Sequence, residues 1–329
     1  MTWTPLALKL AAFSVVALCA LIVLVQVLAA KREADASAAY PPAGQLIAVN
    51  GRDIHVKTVG QGPDIVLVHG ASGSMRDFTF ELVDRLSDRY RVTTVDRPGL
   101  GWSERADGFG GLWSSASESP KDQARVLRQA VLAAEVRNPI LLGHSFGGAI
   151  ALAWALEHPE DTAALVLLGA ASNPWPGRLG LYYRLTSTRI GRLTVIPLLT
   201  AFTPQSVINS TTASIFAPQT APEGYLRHFG PEMTLRRATM RANVQHVNSL
   251  RPYIAEMSKR YPTLQLPVEI LHGTEDTTVP MDVHSEPLSR QIPGAVLTRL
   301  QGVGHMPHHA DPMAVTTAVD RAAARAGLR

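Results

Sequence analysis

The sequence predicts an α/β fold, with a mostly parallel sheet flanked by helices, a helical insertion and an N-terminal transmembrane helix. Three observations predict it. Short buried apolar runs alternate with helical segments from residue 45 onward, a long stretch without strands interrupts that alternation, and an uncharged apolar segment opens the chain. Strands alternating with helices are typical of a parallel sheet with right-handed crossovers. With 329 residues, 46% hydrophobic and 18% charged, the chain can bury one large core.

The apolar segment "LAAFSVVALCALIVLVQVLAA" covers residues 10–30 without a charge. A helix of this length reaches about 31 Å, and the hydrocarbon of a bilayer is about 30 Å thick. The length predicts a single-pass membrane anchor, because the apolar part of a cleaved signal covers only about 7 to 15 residues. The alternative is a secreted or periplasmic protein cleaved within "ADASAAY", residues 34–40. Residues 1–40 are therefore assigned to the anchor and a polar linker, and the balanced flanking charges leave the membrane orientation open.

The lone cysteine, Cys19, lies inside this apolar segment, so no disulfide is expected within the chain. After the linker, Asn50-Gly51 separates two alternating runs and predicts a hairpin of edge strands over 45–49 and 52–59. The next segments predict a strand in "DIVLVHG", a helix in "MRDFTFELVDRLSDRY", a strand and turn in "RVTTVDRPGLG", a helix over 118–136 and a strand in "AALVLLGAAS". Residues 41–172 and 263–329 form the predicted core.

The stretch "ILLGHSFGGAI", residues 140–150, places a glycine two positions before and after Ser145. The apolar run before it predicts a buried strand, and the helical spacing after it ends before Pro159. Glycines at 143 and 147 suit a sharp strand–turn–helix connection that holds the serine at positive φ. The spacing alone also arises by chance, so the prediction of a nucleophile depends on a base and an acid elsewhere in the chain.

Two later strand ends supply candidates for both. "VEILHG", 268–273, is followed by Glu275 and Asp276, and the strand over 295–300 is followed by His305, His308 and His309. Reactive groups of parallel sheets collect at the carboxyl ends of strands. The resulting order of serine, acid and histidine is that of the G-x-S-x-G hydrolases.

From Gln45 to the C-terminus the chain resembles the α/β-hydrolase superfamily. The resemblance rests on six landmarks in the family's order: "VNGRDIHV", "VLVHGASGS", "DRPGLGWS", "GHSFGG", "GTEDTTVP" and "GVGHMPHH". It implies that Ser145 is the nucleophile, His305 the base and Asp276 the acid. It also implies an oxyanion hole formed by the backbone N–H groups of Ala71 and Phe146. The family's spacing, with a glycine three residues before the acid, implies Asp276 and not Glu275.

A serine at this turn predicts acyl transfer to water through an acyl-enzyme, on an ester, thioester or amide. A cofactor-free haloperoxidase or a carbon–carbon bond hydrolase stays open, since relatives with the same triad carry out those reactions. The alternative from another class is a non-catalytic, membrane-tethered binding module, because a fold does not by itself imply catalysis.

Residues 173–262 predict a helical lid, because about 90 residues exceed what a crossover needs. Eleven Lys and Arg against three Asp and Glu give this insert a net charge of +8, while the whole chain carries +4. Two hypotheses follow: a solvated basic face, or a face toward anionic lipid headgroups. Apolar residues of the lid suggest an acyl pocket: Trp175, Tyr182, Tyr183, Phe202, Ile215 and Phe216.

No cofactor, metal or nucleic acid is expected. His308, His309 and Asp311 could be grouped with His305 as metal ligands, but Pro307 interrupts a helical face and His305 already has a role. Three further histidines, His69, His144 and His272, are expected to pack or hydrogen-bond around the site. No basic segment carries a nucleic-acid recognition motif. The oligomeric state is not predicted.

Overall fold

The structure, a computed structural model, describes residues 4–111, 114 and 116–329. Within them an eight-stranded sheet runs in the order β1-β2-β4-β3-β5-β6-β7-β8. Its strands are β1 (Gln45–Val49), β2 (Arg52–Val59), β3 (Asp64–Val68), β4 (Arg91–Val95), β5 (Ile140–His144), β6 (Ala164–Leu168), β7 (Val268–Gly273) and β8 (Val296–Leu300). β1 pairs antiparallel with β2, β2 pairs antiparallel with β4, and every other pairing within the sheet is parallel. The predicted α/β fold is confirmed.

Helices cover both faces of this sheet. They are α1 (Pro5–Ala39), α2 (Leu82–Ser87), α3 (Pro120–Ala133), α4 (Phe146–Glu157), α5 (Leu181–Thr186), α6 (Arg189–Phe202), α7 (Gln205–Phe216), α8 (Tyr225–Phe229), α9 (Arg237–Met257), α10 (Ser285–Gln291), α11 (Pro307–Ala310) and α12 (Pro312–Arg325). Strand residues alternate between the two cores. In β3, Val66 packs with α3 and α4, while Ile65 packs with α2 and α12.

One predicted helix differs in form. The segment 75–90 is a 3-10 helix over Met75–Phe80, followed after Glu81 by the short α2. The buried Asp77 carboxylate accepts hydrogen bonds from other segments, and the Met75 N–H donates to Asp96 Oδ1 over 2.7 Å. These contacts hold the first turns against the sheet, so the segment does not continue as one regular helix.

Helix α1 continues to Ala39, so it includes the first nine residues of the polar linker predicted after residue 30. Its alanines favour helix, and Lys31 pairs with Asp35 one turn later over 2.7 Å. The helix ends at Ala39, with Tyr40 as its C-cap directly before Pro41 and Pro42. The apolar segment and the residues up to Ala39 therefore form one continuous helix.

The chain between β6 and β7 forms α5 to α9, and α9 reaches the loops that follow β3 and β4. The α9 residues Asn243 and His246 contact Ser72 and Arg97 in those loops. These helices, which we call the cap, also contact α1. Val25 and Ala29 of α1 pack against Ala201 of α6.

Candidate active site

Ser145 connects β5 to α4 in the conformation φ 53°, ψ −118°. Two glycines make the turn possible because neighbouring backbone leaves no room for a side chain. A Cβ at Gly143 would lie 2.5 Å from the Gly147 carbonyl oxygen, and one at Gly147 would lie 2.0 Å from the Val68 carbonyl oxygen. The predicted strand–turn–helix is confirmed, and the positive φ of a non-glycine residue is a strained state typical of functional sites.

The end of β6 holds the backbone of this turn in place. The Ser145 N–H donates to the Leu168 carbonyl over 2.9 Å, and the Ser145 carbonyl accepts from the Ala171 N–H over 3.1 Å. Ser145 is almost fully buried. Both peptide groups of the strained residue are thus fixed by the neighbouring strand.

His305 and Asp276 form a buried pair at the same edge of the sheet. Asp276 follows β7 and His305 follows β8, and His305 Nδ1 lies 2.7 Å from Asp276 Oδ2. The other carboxylate oxygen accepts from the N–H groups of Thr278 and Val279. Glu275, the alternative acid, is exposed.

The Asp276 carboxylate is ionised in this setting. Burial raises its pKa, but hydrogen bonds from His272 and His305 outweigh burial and hold the pKa well below the usual range. His272 Nε2 lies 3.1 Å from Asp276 Oδ2. An ionised carboxylate at Nδ1 requires the His305 proton on that nitrogen, so Nε2 can accept a proton.

The three predicted side chains meet around the end of β6. Gly169 directly follows Leu168, and a Cβ built on it would lie 3.2 Å from Asp276 Oδ2 and 3.4 Å from His305 Nδ1. The His144 ring, next to Ser145, lies 4.9 Å from the His305 ring and donates from Nε2 to the His305 carbonyl over 2.9 Å. Among the described residues no hydrogen bond joins the Ser145 hydroxyl to His305, a bond that commonly tightens only with substrate present.

The two predicted oxyanion donors lie beside Ser145. Phe146 is the first residue of α4, where N–H groups lack helical partners and the helix dipole is positive. The loop after β3 approaches closely, since a Cβ on Gly70 would lie 3.1 Å from Ser145 Cβ. Within the described part of the chain, neither the Ala71 nor the Phe146 N–H donates a backbone hydrogen bond.

The expected packing role of three histidines is confirmed: His69, His144 and His272 are buried and hydrogen-bonded. The sequence reasoning missed Arg97, which is fully buried beside Phe146 with its guanidinium carbon 3.9 Å from the ring centroid. Its only sequence signal is its place in "DRPGLGWS", where a charge would ordinarily be expected at the surface.

His308 and His309 lie against Asp77 and not against Asp311, the acid grouped with them in the sequence. His308 Nε2 and His309 Nε2 lie 3.1 and 2.9 Å from the two oxygens of Asp77, and the Tyr225 hydroxyl also donates to that carboxylate. Burial raises the pKa of Asp77, but these histidines outweigh it and hold it well below its usual value. Asp311 instead caps α12. The absence of a metal from the site stays a prediction.

A family model described as the alpha/beta hydrolase family matches residues 65–319, and the chain belongs to that family. An uncharacterized protein of Mycobacterium tuberculosis is 25% identical over 85% of this chain and 81% of its own length. A pimeloyl-[acyl-carrier protein] methyl ester esterase of Vibrio vulnificus is 26% identical over 79% of this chain and 94% of its own. The crystal structure of a membrane phospholipase A superposes with a TM-score of 0.63 at 21% identity, covering 99% of each chain.

Proposed function

We propose that this hydrolase is a serine enzyme that cleaves an ester-type bond through an acyl-enzyme intermediate. Ser145 is the nucleophile, His305 the base, Asp276 the acid, and the N–H groups of Ala71 and Phe146 the oxyanion donors. The observation that carries the proposal is the buried His305–Asp276 pair at the sheet edge where Ser145 occupies its strained turn.

The reaction follows from these positions. His305 Nε2 takes the Ser145 proton as the oxygen attacks the carbonyl carbon, and the carbonyl π electrons move to the oxygen, which the two N–H groups receive. The intermediate collapses as His305 returns the proton to the leaving group. Water then repeats the sequence on the acyl-serine, releasing the acid and restoring Ser145. A positioned histidine contributes about 10²- to 10⁴-fold, and one oxyanion donor about 10²- to 10³-fold.

The N-terminal helix supports a substrate located in a membrane. Helix α1 is long and apolar enough to cross a bilayer, and its apolar residues are almost all exposed. Its last turns are fixed to the cap, since Glu33 accepts from Arg237 Nε and Nη2 over 2.8 and 2.7 Å. Arg32 donates to the Ala201 and Thr203 carbonyls. A bilayer around α1 would therefore lie next to the cap.

The cap presents an apolar surface on the same helix that contacts α1. Phe202, Leu198 and Ile190 of α6 are 53%, 47% and 74% exposed. Ala201, which packs on Val25 and Ala29, directly precedes Phe202. Such side chains are favourable at the lipid interface and costly in water. We infer that the enzyme is a single-pass membrane protein acting on an acyl lipid.

The apolar residues of the lid differ in how far they are buried. Phe216 is buried and lines a cavity of about 460 Å³ beside Met306 and His309, which follow His305 in the chain. Phe202 and Tyr182 are instead largely exposed. Within this proposal the cavity lined by Phe216, Met306 and His309 is the candidate site for an acyl chain, and Phe202 belongs to the lipid-facing surface.

The first test is hydrolysis of p-nitrophenyl esters of increasing chain length by the full chain in detergent micelles. Ser145→Ala removes turnover, whereas Ser206→Ala, on an exposed serine of α7, leaves it unchanged. A folded wild type without turnover on any chain length would favour the binding module. Halogenation with peroxide, or cleavage of a β-diketone in place of esters, would favour the other two reactions.

The second test addresses the membrane. The full chain, reconstituted in vesicles, is expected to release fatty acid from phospholipid, faster when anionic lipid is present and not at all with Ser145→Ala. Hydrolysis of soluble esters without release from any phospholipid would contradict the lipid substrate. Equal rates on zwitterionic and anionic vesicles would contradict the hypothesis that the positive charge of the cap faces anionic lipid headgroups. If the intact mass of the mature protein shows that its N-terminus lies after residue 34, the proposed membrane anchor is contradicted.

A further inference from the structure

The orientation of the Ala71 N–H is set by contacts on the other side of its peptide bond. The peptide is planar and trans, so the Gly70 carbonyl and the Ala71 N–H point in opposite directions. The Gly70 oxygen accepts from Arg97 Nη1 over 3.0 Å and lies 2.9 Å from His69 Nδ1. Groups that hold this oxygen therefore fix the direction of the Ala71 N–H.

Arg97 accounts for both groups that donate to the Gly70 oxygen. It supplies one of them itself, and it sets the tautomer of His69, which supplies the other. Its own N–H donates to His69 Nε2 over 3.0 Å, so the His69 proton lies on Nδ1 and is directed at the Gly70 oxygen. Burial and the Arg97 charge lower the pKa of His69 to about 4, in keeping with a neutral ring. The Arg97 guanidinium also stacks on Phe146, whose N–H is the second donor. One buried side chain thus contacts Phe146 and the Gly70 carbonyl, which belongs to the same peptide group as the Ala71 N–H.

The cap also holds the loop that contains Gly70 and Ala71, through helix α9. Ser72 has a strained φ of 54°, and its N–H donates to Asn243 Oδ1 over 2.7 Å while its hydroxyl accepts from Asn243 Nδ2 over 2.8 Å. One turn along α9, His246 Nδ1 lies 3.4 Å from Arg97 Nη2 and Nε2 lies 2.9 Å from Glu118. The loop 70–72 is fixed at one end by Arg97 and at the other by α9.

We propose that Arg97 and Asn243 are positioning residues that align the Ala71 N–H with the oxyanion, so that helix α9 of the cap completes the oxyanion hole. This inference rests on the proposed function. Without Asn243, Ser72 loses both of these hydrogen bonds, which offset its strained conformation, and the peptide plane can rotate. A displaced cap would then leave the Ser145–His305–Asp276 set intact but without one aligned oxyanion donor.

The test compares Asn243→Ala and Arg97→Lys with Asn248→Ala in the full chain. Asn248 lies on the same helix but donates to the Tyr183 and Val244 carbonyls, and among the described residues it forms no hydrogen bond with loop 70–72. Loss of an oxyanion donor costs about 10²- to 10³-fold, so a misaligned one is expected to lower kcat about tenfold or more. KM is expected to stay within about threefold, since ground-state binding is not affected.

A trifluoromethyl ketone supplies the second readout. Ser145 adds to its carbonyl, the proton passes to His305, and the hemiketal oxygen occupies the oxyanion hole. Its Ki is expected to rise by the same factor as kcat falls in Asn243→Ala and Arg97→Lys, and to be unchanged in Asn248→Ala. Circular dichroism checks folding, and Asn243→Ala decides alone if Arg97→Lys does not fold.

The outcomes separate the inference from the function beneath it. If Asn243→Ala keeps kcat and Ki within twofold while Ser145→Ala abolishes turnover, the positioning role is wrong and the hydrolase proposal stands. A wild type inert toward both ester and ketone overturns the proposed function, and the positioning role with it. A KM increase without a change in kcat would assign Asn243 to substrate binding instead.

Discussion

For Gly147→Ala, helix propensity and the structure predict opposite changes in the free energy of unfolding. Gly147 is the second residue of α4, and glycine in a helix costs about 0.5 to 1 kcal/mol relative to alanine. Propensity alone therefore predicts that alanine stabilises the protein. The structure predicts the opposite, because the new Cβ would lie 2.0 Å from the Val68 carbonyl oxygen and 2.7 Å from that of His69.

The magnitude follows from what would have to move. Normal carbon–oxygen contacts are about 3.2 Å or longer, so the helix and β3 must separate by about 1 Å. β3 is hydrogen-bonded to β4 on one side and β5 on the other, and it is fully buried from Ile65 to Val68. Overpacking at such a position costs about 3 kcal/mol, and subtracting the gain in propensity leaves a loss of about 2 kcal/mol.

Activity is expected to fall further than stability suggests. The displaced strand continues into His69, Gly70 and Ala71, and a shift of about 1 Å in a catalytic group costs on the order of 10²-fold. Urea unfolding and kcat/KM of the full chain in detergent measure both effects. Gly180→Ala is the control, because nothing lies within 4 Å of its Cβ position. A Gly147→Ala protein as stable and active as wild type would refute the close packing of the turn.

Three further outcomes are expected. Asp276→Asn lowers kcat about 10³- to 10⁴-fold with little change in thermal stability, because an amide no longer holds the His305 tautomer; ester hydrolysis and a thermal melt measure this. Burial and the nearby His272 charge lower the pKa of His284 to about 4, so the unfolded chain binds more protons between pH 6.5 and 4 and stability falls as pH falls through that window. Urea titrations at pH 7 and 5 should differ by about 2 kcal/mol through this group, a difference that His284→Gln removes. Glu33→Ala removes the hydrogen-bonded partner of Arg237 and is expected to lower stability by about 1 to 2 kcal/mol and to speed protease cleavage after α1, measured on gels.

The sheet could be predicted closely because its strands are short apolar runs with clear boundaries. "VEILHG" forms β7 over its full predicted length, and the hairpin at Asn50-Gly51 has the predicted strands. Ser145 was identifiable because its turn requires glycines at fixed positions. Topology placed two candidate acids and three candidate histidines at one edge of the sheet, since parallel strands bring their carboxyl ends together, and the resemblance to the α/β-hydrolases selected Asp276 and His305 among them.

Other features depend on contacts between distant segments, which periodicity does not report. The placement of the helix over 31–39 depends on Arg32 and Glu33, which bind the cap about 170 to 200 residues away in the chain. Asp77 leaves a regular helix because it meets two histidines from the other end of the sequence.

The supports of the oxyanion loop were hidden for the same reason. Arg97 and Asn243 are polar residues in segments that predict a turn and a lid, and both are buried. Their roles follow only once α9 is placed over the loop after β3. Polar residues buried by tertiary contacts carry no local signal.

The most direct test of the central claim is peptide mass spectrometry of the full chain after reaction with a fluorophosphonate. The account predicts one phosphonyl group, located on Ser145, absent from Ser145→Ala and formed at least 10²-fold more slowly in His305→Gln. A phosphonyl group on a different residue, or equal labelling of Ser145→Ala, would contradict it.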